Sequence, residues 1–86
     1  MTKYNKLFAK VLGGRSDANI AFDELRRLLT HLGFVERVAG SHHVFVREGV
    51  EALVNLQRDG RMAKPYQVRQ VRNVITTHGL AAEEDE

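Results

Sequence analysis

With 86 residues, 43% of them apolar and 28% charged, and a single proline, the chain has the make-up of one small folding domain and no room for a second. The absence of cysteine excludes disulfides, thiolate metal sites and cysteine nucleophiles, and it fits a reducing compartment. The formal charge of +2 hides an asymmetry: Glu83, Glu84, Asp85 and Glu86 are four of the eleven acids, so the rest of the chain sets thirteen bases against seven acids and favours RNA, DNA or an acidic protein as partner.

Tyr4, Leu7, Phe8, Val11 and Leu12 recur at helical spacing, which predicts an N-terminal helix over about 3–12, stopped by Gly13-Gly14. Arg15-Ser16-Asp17-Ala18-Asn19 is rich in turn and capping residues and leads into a second helix. Phe22, Leu25, Leu28, Leu29 and Leu32 form its stripe, Asp23 and Glu24 suit its first turn and Gly33 its end. From Phe34 the period becomes extended. Phe34–Val38 and His42–Arg47 read as two strands joined by a turn at Gly40-Ser41, and Val50–Gln57 as a third, despite its Ala and Glu. After a loop over Arg58–Arg61, Pro65 opens a last helix whose stripe is Val68, Val71, Val74 and Ile75 and which ends at His78-Gly79. Residues 81–86, acidic and without apolar periodicity, read as a disordered tail. The expected architecture is α+β, in the order α-α-β-β-β-α. Short links make the sheet an antiparallel meander with helices on one face, and residues 1–80 form a single domain.

No apolar run reaches the ~20 residues that span a bilayer, and the first six residues lack the apolar block of a secretion signal, so the expectation is a cytoplasmic protein with no membrane partner.

His42 and His43, next to Gly40-Ser41, are the leading candidates for chemistry, because an imidazole moves protons near neutral pH. Neighbours on a strand point to opposite faces, so the two rings do not share one task. If Phe45 packs under the helices, His43 faces inward with it and His42 projects from the open face, which favours His42 as the reactive residue. The structural alternative is an incidental pair in a strand. His31 and His78 sit near helix ends and read as structural. No zinc-binding spacing, phosphate loop or serine elbow is present, so neither a metal nor another cofactor is expected. A basic stripe of Arg58, Arg61, Lys64, Arg69 and Arg72, interleaved with Gln67, Gln70 and Asn73, suits phosphates without specifying a base sequence; the bland alternative is a solvated face.

The run Gly40-Ser41-His42-His43-Val44-Phe45, a helix closing on Gly33-Phe34 and a last helix closing on Gly79-Leu80 together resemble the HicA toxins, the mRNA interferases of HicA–HicB toxin–antitoxin modules. The resemblance covers about 22–80 and implies a double-stranded-RNA-binding-like fold, an endoribonuclease that cleaves mRNA, and a HicB-like antitoxin that covers the site and with which the chain could form an oligomer. It places the essential histidine at His42, with Gly40 shaping the turn and His43 a contender. Gly40, Ser41, Arg37, Arg47, Arg61, Lys64, Arg69 and Arg72 become RNA-binding candidates, of which Arg37, Arg47 or Lys64 would stabilise phosphate charge. The chain departs from the family in two places: Val54-Asn55-Leu56-Gln57 stands where many relatives carry a Pro-His-Pro-like segment, and the helix over 3–12 is additional. A non-catalytic RNA-binding or protein-binding module on the same fold is the alternative. The added helix reads either as a surface for a second chain or as a part of the domain's own core.

Overall fold

The computed structural model describes residues 3–80. The N-terminal helix α1 spans Lys3–Gly13 and ends where Gly14 takes a φ of +73°. Leu7 and Val11 are buried and Phe8 packs against the same core, so this helix belongs to the domain itself. Leu12, expected on the stripe, is instead exposed: α1 rests on α2 (Phe22–His31) and α3 (Pro65–Thr77) along a line narrower than its apolar arc.

The turn-rich segment forms a short 3-10 turn, Asp17–Asn19, and Ile20 behind it is fully buried. None of its polar residues caps α2. The cap position is Ala21, whose backbone N–H donates to the Glu24 carboxylate at 2.9 Å, so the first-turn acid performs the task expected of a cap residue. Phe22, Leu25, Leu28, Leu29 and Leu32 are all buried as the spacing predicts.

Three strands follow, β1 (Val35–Ala39), β2 (His42–Arg47) and β3 (Val50–Gln57), in an antiparallel sheet of order β1-β2-β3. Gly40 and Ser41 are the whole of the first turn. Gly40 has a φ of +60°, the left-handed value required at the first central position of a II′ hairpin turn. A register irregularity between Phe45 and Arg47 marks the far end of β2.

The helices cover one face of the sheet, burying Phe45, Val54 and Leu56. Their cover stops short of one corner, where Val38, opposite His43 on that face, remains 55% exposed. On α3, Val68, Val71 and Ile75 are buried and Val74 packs against the core; Gln67 is buried with them, which apolar periodicity does not reveal. The core is one cluster from Leu7 to Ile75. Among the described residues no helix is long and apolar enough to cross a membrane. The acidic tail expected at 81–86 lies outside the described residues.

Candidate functional site

The Gly40-Ser41 turn starts β2 at His42, and the ladder then fixes what surrounds it. Ala39, His42 and Gln57 stand side by side across the three strands on the open face, and Arg37, Val44 and Asn55 form the next row. Val35 and Val46 continue that face. His42, Gln57, Arg37 and Asn55 are all exposed, and no described residue holds the His42 ring by a hydrogen bond.

His43 faces the other way. It is 5% exposed, with its ring edge-on to Phe22 at 5.0 Å between centroids. Its Nδ1 lies 2.8 Å from Glu36 Oε2. A carboxylate can only accept, so Nδ1 carries the proton and donates it. Glu36 in turn receives Arg26 Nε on Oε2 at 2.6 Å and Arg26 Nη2 on Oε1 at 3.0 Å. The Arg26 guanidinium, with help from His43, holds the Glu36 carboxyl below its ordinary pKa against the opposing effect of burial.

The chain of charges continues to Arg58. Arg26 also donates to Asp23 Oδ1 at 2.9 Å, and Arg58 Nη2 donates to the same oxygen. Arg58 first and Arg26 second pull the Asp23 pKa from 3.8 to about 2. The Arg58 guanidinium lies 4.6 Å above the centre of the Phe22 ring, and its backbone N–H donates to Ser41 O at 2.8 Å. His43, Glu36, Arg26, Asp23 and Arg58 therefore form one continuous brace around Phe22, behind the turn that presents His42.

The cations expected to meet RNA do not share one surface. Arg72 is engaged internally: Nη1 and Nη2 reach the two oxygens of Asp17 at 2.9 and 3.2 Å, and Nη1 also donates to Val11 O at 3.1 Å. Arg58 is committed to the brace. Arg47 lies at the opposite end of β2, ~17 Å along the strand from His42 at ~3.3 Å per residue, with its side chain against Gly33. Arg37 remains on the open face one row from His42. Lys64 is half-buried with Nζ 3.3 Å from Asp59, while Arg61 and Arg69 are exposed and make no ion pair among the described residues.

Two residues of this region escaped the sequence reading. Gln57 faces His42 directly, and its carbonyl accepts from Gln67 Nε2 at 2.8 Å, which ties the start of α3 to the end of β3. Glu36 is the partner of His43; a two-residue turn at Gly40-Ser41 already places Glu36 opposite Phe45, and hence on the His43 side. Two surface grooves flank these elements, and one of them lies on the open face, lined by Val35, Arg37, Val46 and Glu48. The other, of about 160 Å³, separates α1 from α2, beside Tyr4, Lys6, Lys10 and Arg27, and holds none of the expected site residues. Among the described residues no group of three or more His, Asp or Glu side chains is placed to hold a metal ion.

A family model described as the HicA toxin of bacterial toxin–antitoxin systems matches residues 22–80. No curated protein and no solved structure matches the chain.

Proposed function

Because the chain belongs to the HicA toxin family of bacterial toxin–antitoxin systems, we propose that it is a cytoplasmic endoribonuclease which cleaves mRNA with His42 as general base and is held in check by a HicB-like antitoxin. The observation that carries this reading is the position of His42 on the uncovered face of the sheet, where its ring is open to a ribose and flanked by Gln57 and Arg37.

In the proposed reaction the neutral imidazole takes the proton of a ribose 2′-OH. The oxygen attacks the adjacent phosphorus, the bond to the 5′-oxygen breaks, and that oxygen takes a proton from solvent as a 2′,3′-cyclic phosphate forms. Arg37 meets the charge on the phosphate, and the Gln57 amide offers hydrogen bonds beside the ring. His43 holds β2 in place through Glu36 while His42 reacts. Residues 1–80 act as one unit, with α1 as an addition that completes the core.

The test is cleavage of a long single-stranded RNA by wild type and His42→Ala, each with EDTA. Cleavage by wild type alone, with RNA binding changed less than a few-fold, supports the reading; a loss of ~10²–10⁴-fold is expected for a general base. A second reading, a non-catalytic RNA-binding or protein-interaction module, draws on the lack of a hydrogen bond from any described residue to the His42 ring. RNA bound but uncut by both proteins would favour it.

A further inference from the structure

One large side chain on the basic stripe has no part in folding. Tyr66, in the first turn of α3, is 57% exposed, and no described residue hydrogen-bonds its hydroxyl or makes a ring or cation–π contact with it. It lies two residues from Val68, and so well off the buried stripe of its helix. Tyrosine is also a mediocre helix former, so neither burial nor propensity accounts for an aromatic there.

The surroundings of Tyr66 are cationic. Lys64, paired with Asp59, lies two residues before it, and Arg69 follows three residues later, on the same side of the helix one turn on. Arg69 and Arg61 are both exposed and unpaired among the described residues. The start of α3 lies at the His42 end of the sheet: His42 pairs with Gln57, and the Gln57 carbonyl accepts from Gln67, the residue after Tyr66, at 2.8 Å. An exposed aromatic face with a free arginine one turn away, on a basic surface, is what single-stranded nucleic acid uses, stacking a base on the ring while its phosphates meet the charges.

The geometry points to Tyr66 as a base-stacking residue that holds one unpaired base of the RNA and thereby sets which ribose lies over His42. This rests on the ribonuclease reading above, and it adds a specificity determinant from outside the Gly40–His43 motif.

The experiment measures binding of a short single-stranded RNA to the full chain carrying His42→Ala, so that no cutting occurs, with and without Tyr66→Ala or Tyr66→Phe. Tyr66→Ala is expected to weaken binding about five- to a hundred-fold, and Tyr66→Phe to stay within about two-fold, as a stacking contact requires. Because the ring is exposed, the variants should melt with their parent. The chain has no tryptophan, so Tyr66→Trp supplies a single reporter: its emission should change with RNA and stay constant with inorganic polyphosphate, which has charge and no bases. Equal RNA affinity with Tyr66→Ala, or an equal response to polyphosphate, overturns the inference and leaves the ribonuclease reading standing. Unchanged RNA affinity with loss of antitoxin binding also overturns it, by making Tyr66 a protein contact. Absence of RNA binding together with absence of cleavage by wild type would overturn both.

Discussion

His43 Nδ1 stands 2.8 Å from Glu36 Oε2 with its ring edge-on to Phe22, while His42, one residue earlier, faces solvent from the other side of the same strand. The pleat thus sets two adjacent histidines in opposite surroundings. His43→Ala should lower stability by about 1–3 kcal/mol, because it removes a buried hydrogen bond and leaves Glu36 short of a partner. His42→Ala should stay within about 0.5 kcal/mol of wild type. For a chain of this size each kcal/mol moves the melting midpoint by about 4–8 °C, so a thermal scan separates the two. Equal melting of both variants would refute the assignment.

Stability should fall as acid neutralises the brace. Asp23 and Glu36 both have folded pKa values below their ordinary ones, so their contribution is full above the ordinary value and is lost as pH falls through the folded one. For Asp23 the window runs from 3.8 down to about 2, and with 46% of its side chain exposed, solvent keeps its share small. Glu36, only 15% exposed, should dominate. Glu36→Gln is expected to be about 1–3 kcal/mol less stable at neutral pH and to lose less than wild type when urea unfolding is repeated from pH 4.5 down to 2.5. Parallel acid limbs would show that the brace carries no pH dependence.

Gly40→Ala should cost about 1–2 kcal/mol, through its left-handed φ and not through a clash, since an added Cβ meets no atom within 4 Å. Gly40→Asn should recover part of the loss, because Asn tolerates that region better. Gly13→Ala is the control: it closes α1 in open space without a positive φ and should be neutral to stabilising, by up to about 1 kcal/mol. Cleavage should follow the turn, falling in Gly40→Ala and staying unchanged in Gly13→Ala.

Arg72 and Arg69, one helical turn apart, should respond differently to truncation. Arg72→Ala releases Asp17 and the end of α1 and is expected to cost about 1–3 kcal/mol in urea unfolding, with little change in RNA affinity. Arg69→Ala should leave stability within about 0.5 kcal/mol and lower the slope of log affinity against log salt for single-stranded RNA by about 0.7. A lower salt slope in Arg72→Ala would return that residue to the RNA surface.

Much of this arrangement was legible in local spacing. The stripe from Phe22 to Leu32 is buried throughout, β3 spans Val50–Gln57 although Glu51 and Ala52 are poor strand formers, and the side taken by Phe45 correctly predicts that His43 turns inward and His42 outward. Each follows from a repeat of 3.6 or 2 residues, a property of a few neighbouring backbone dihedrals. Leu12 and Gln67 went the other way, one exposed and one buried, because the width of a buried face depends on what the helix rests against.

The charges show the same division more sharply. By itself the sequence determined that a Gly-Ser turn delivers His42 to an open sheet face and that cations surround the start of α3. Only the tertiary structure decided which cations are free. Arg58 reaches Asp23 across 35 residues and Arg72 reaches Asp17 across 55. No repeat encodes such pairs; they form when the helices close over the sheet and bring opposite charges together, and the sheltered Arg72–Asp17 pair is screened less than the half-exposed Arg58–Asp23 pair.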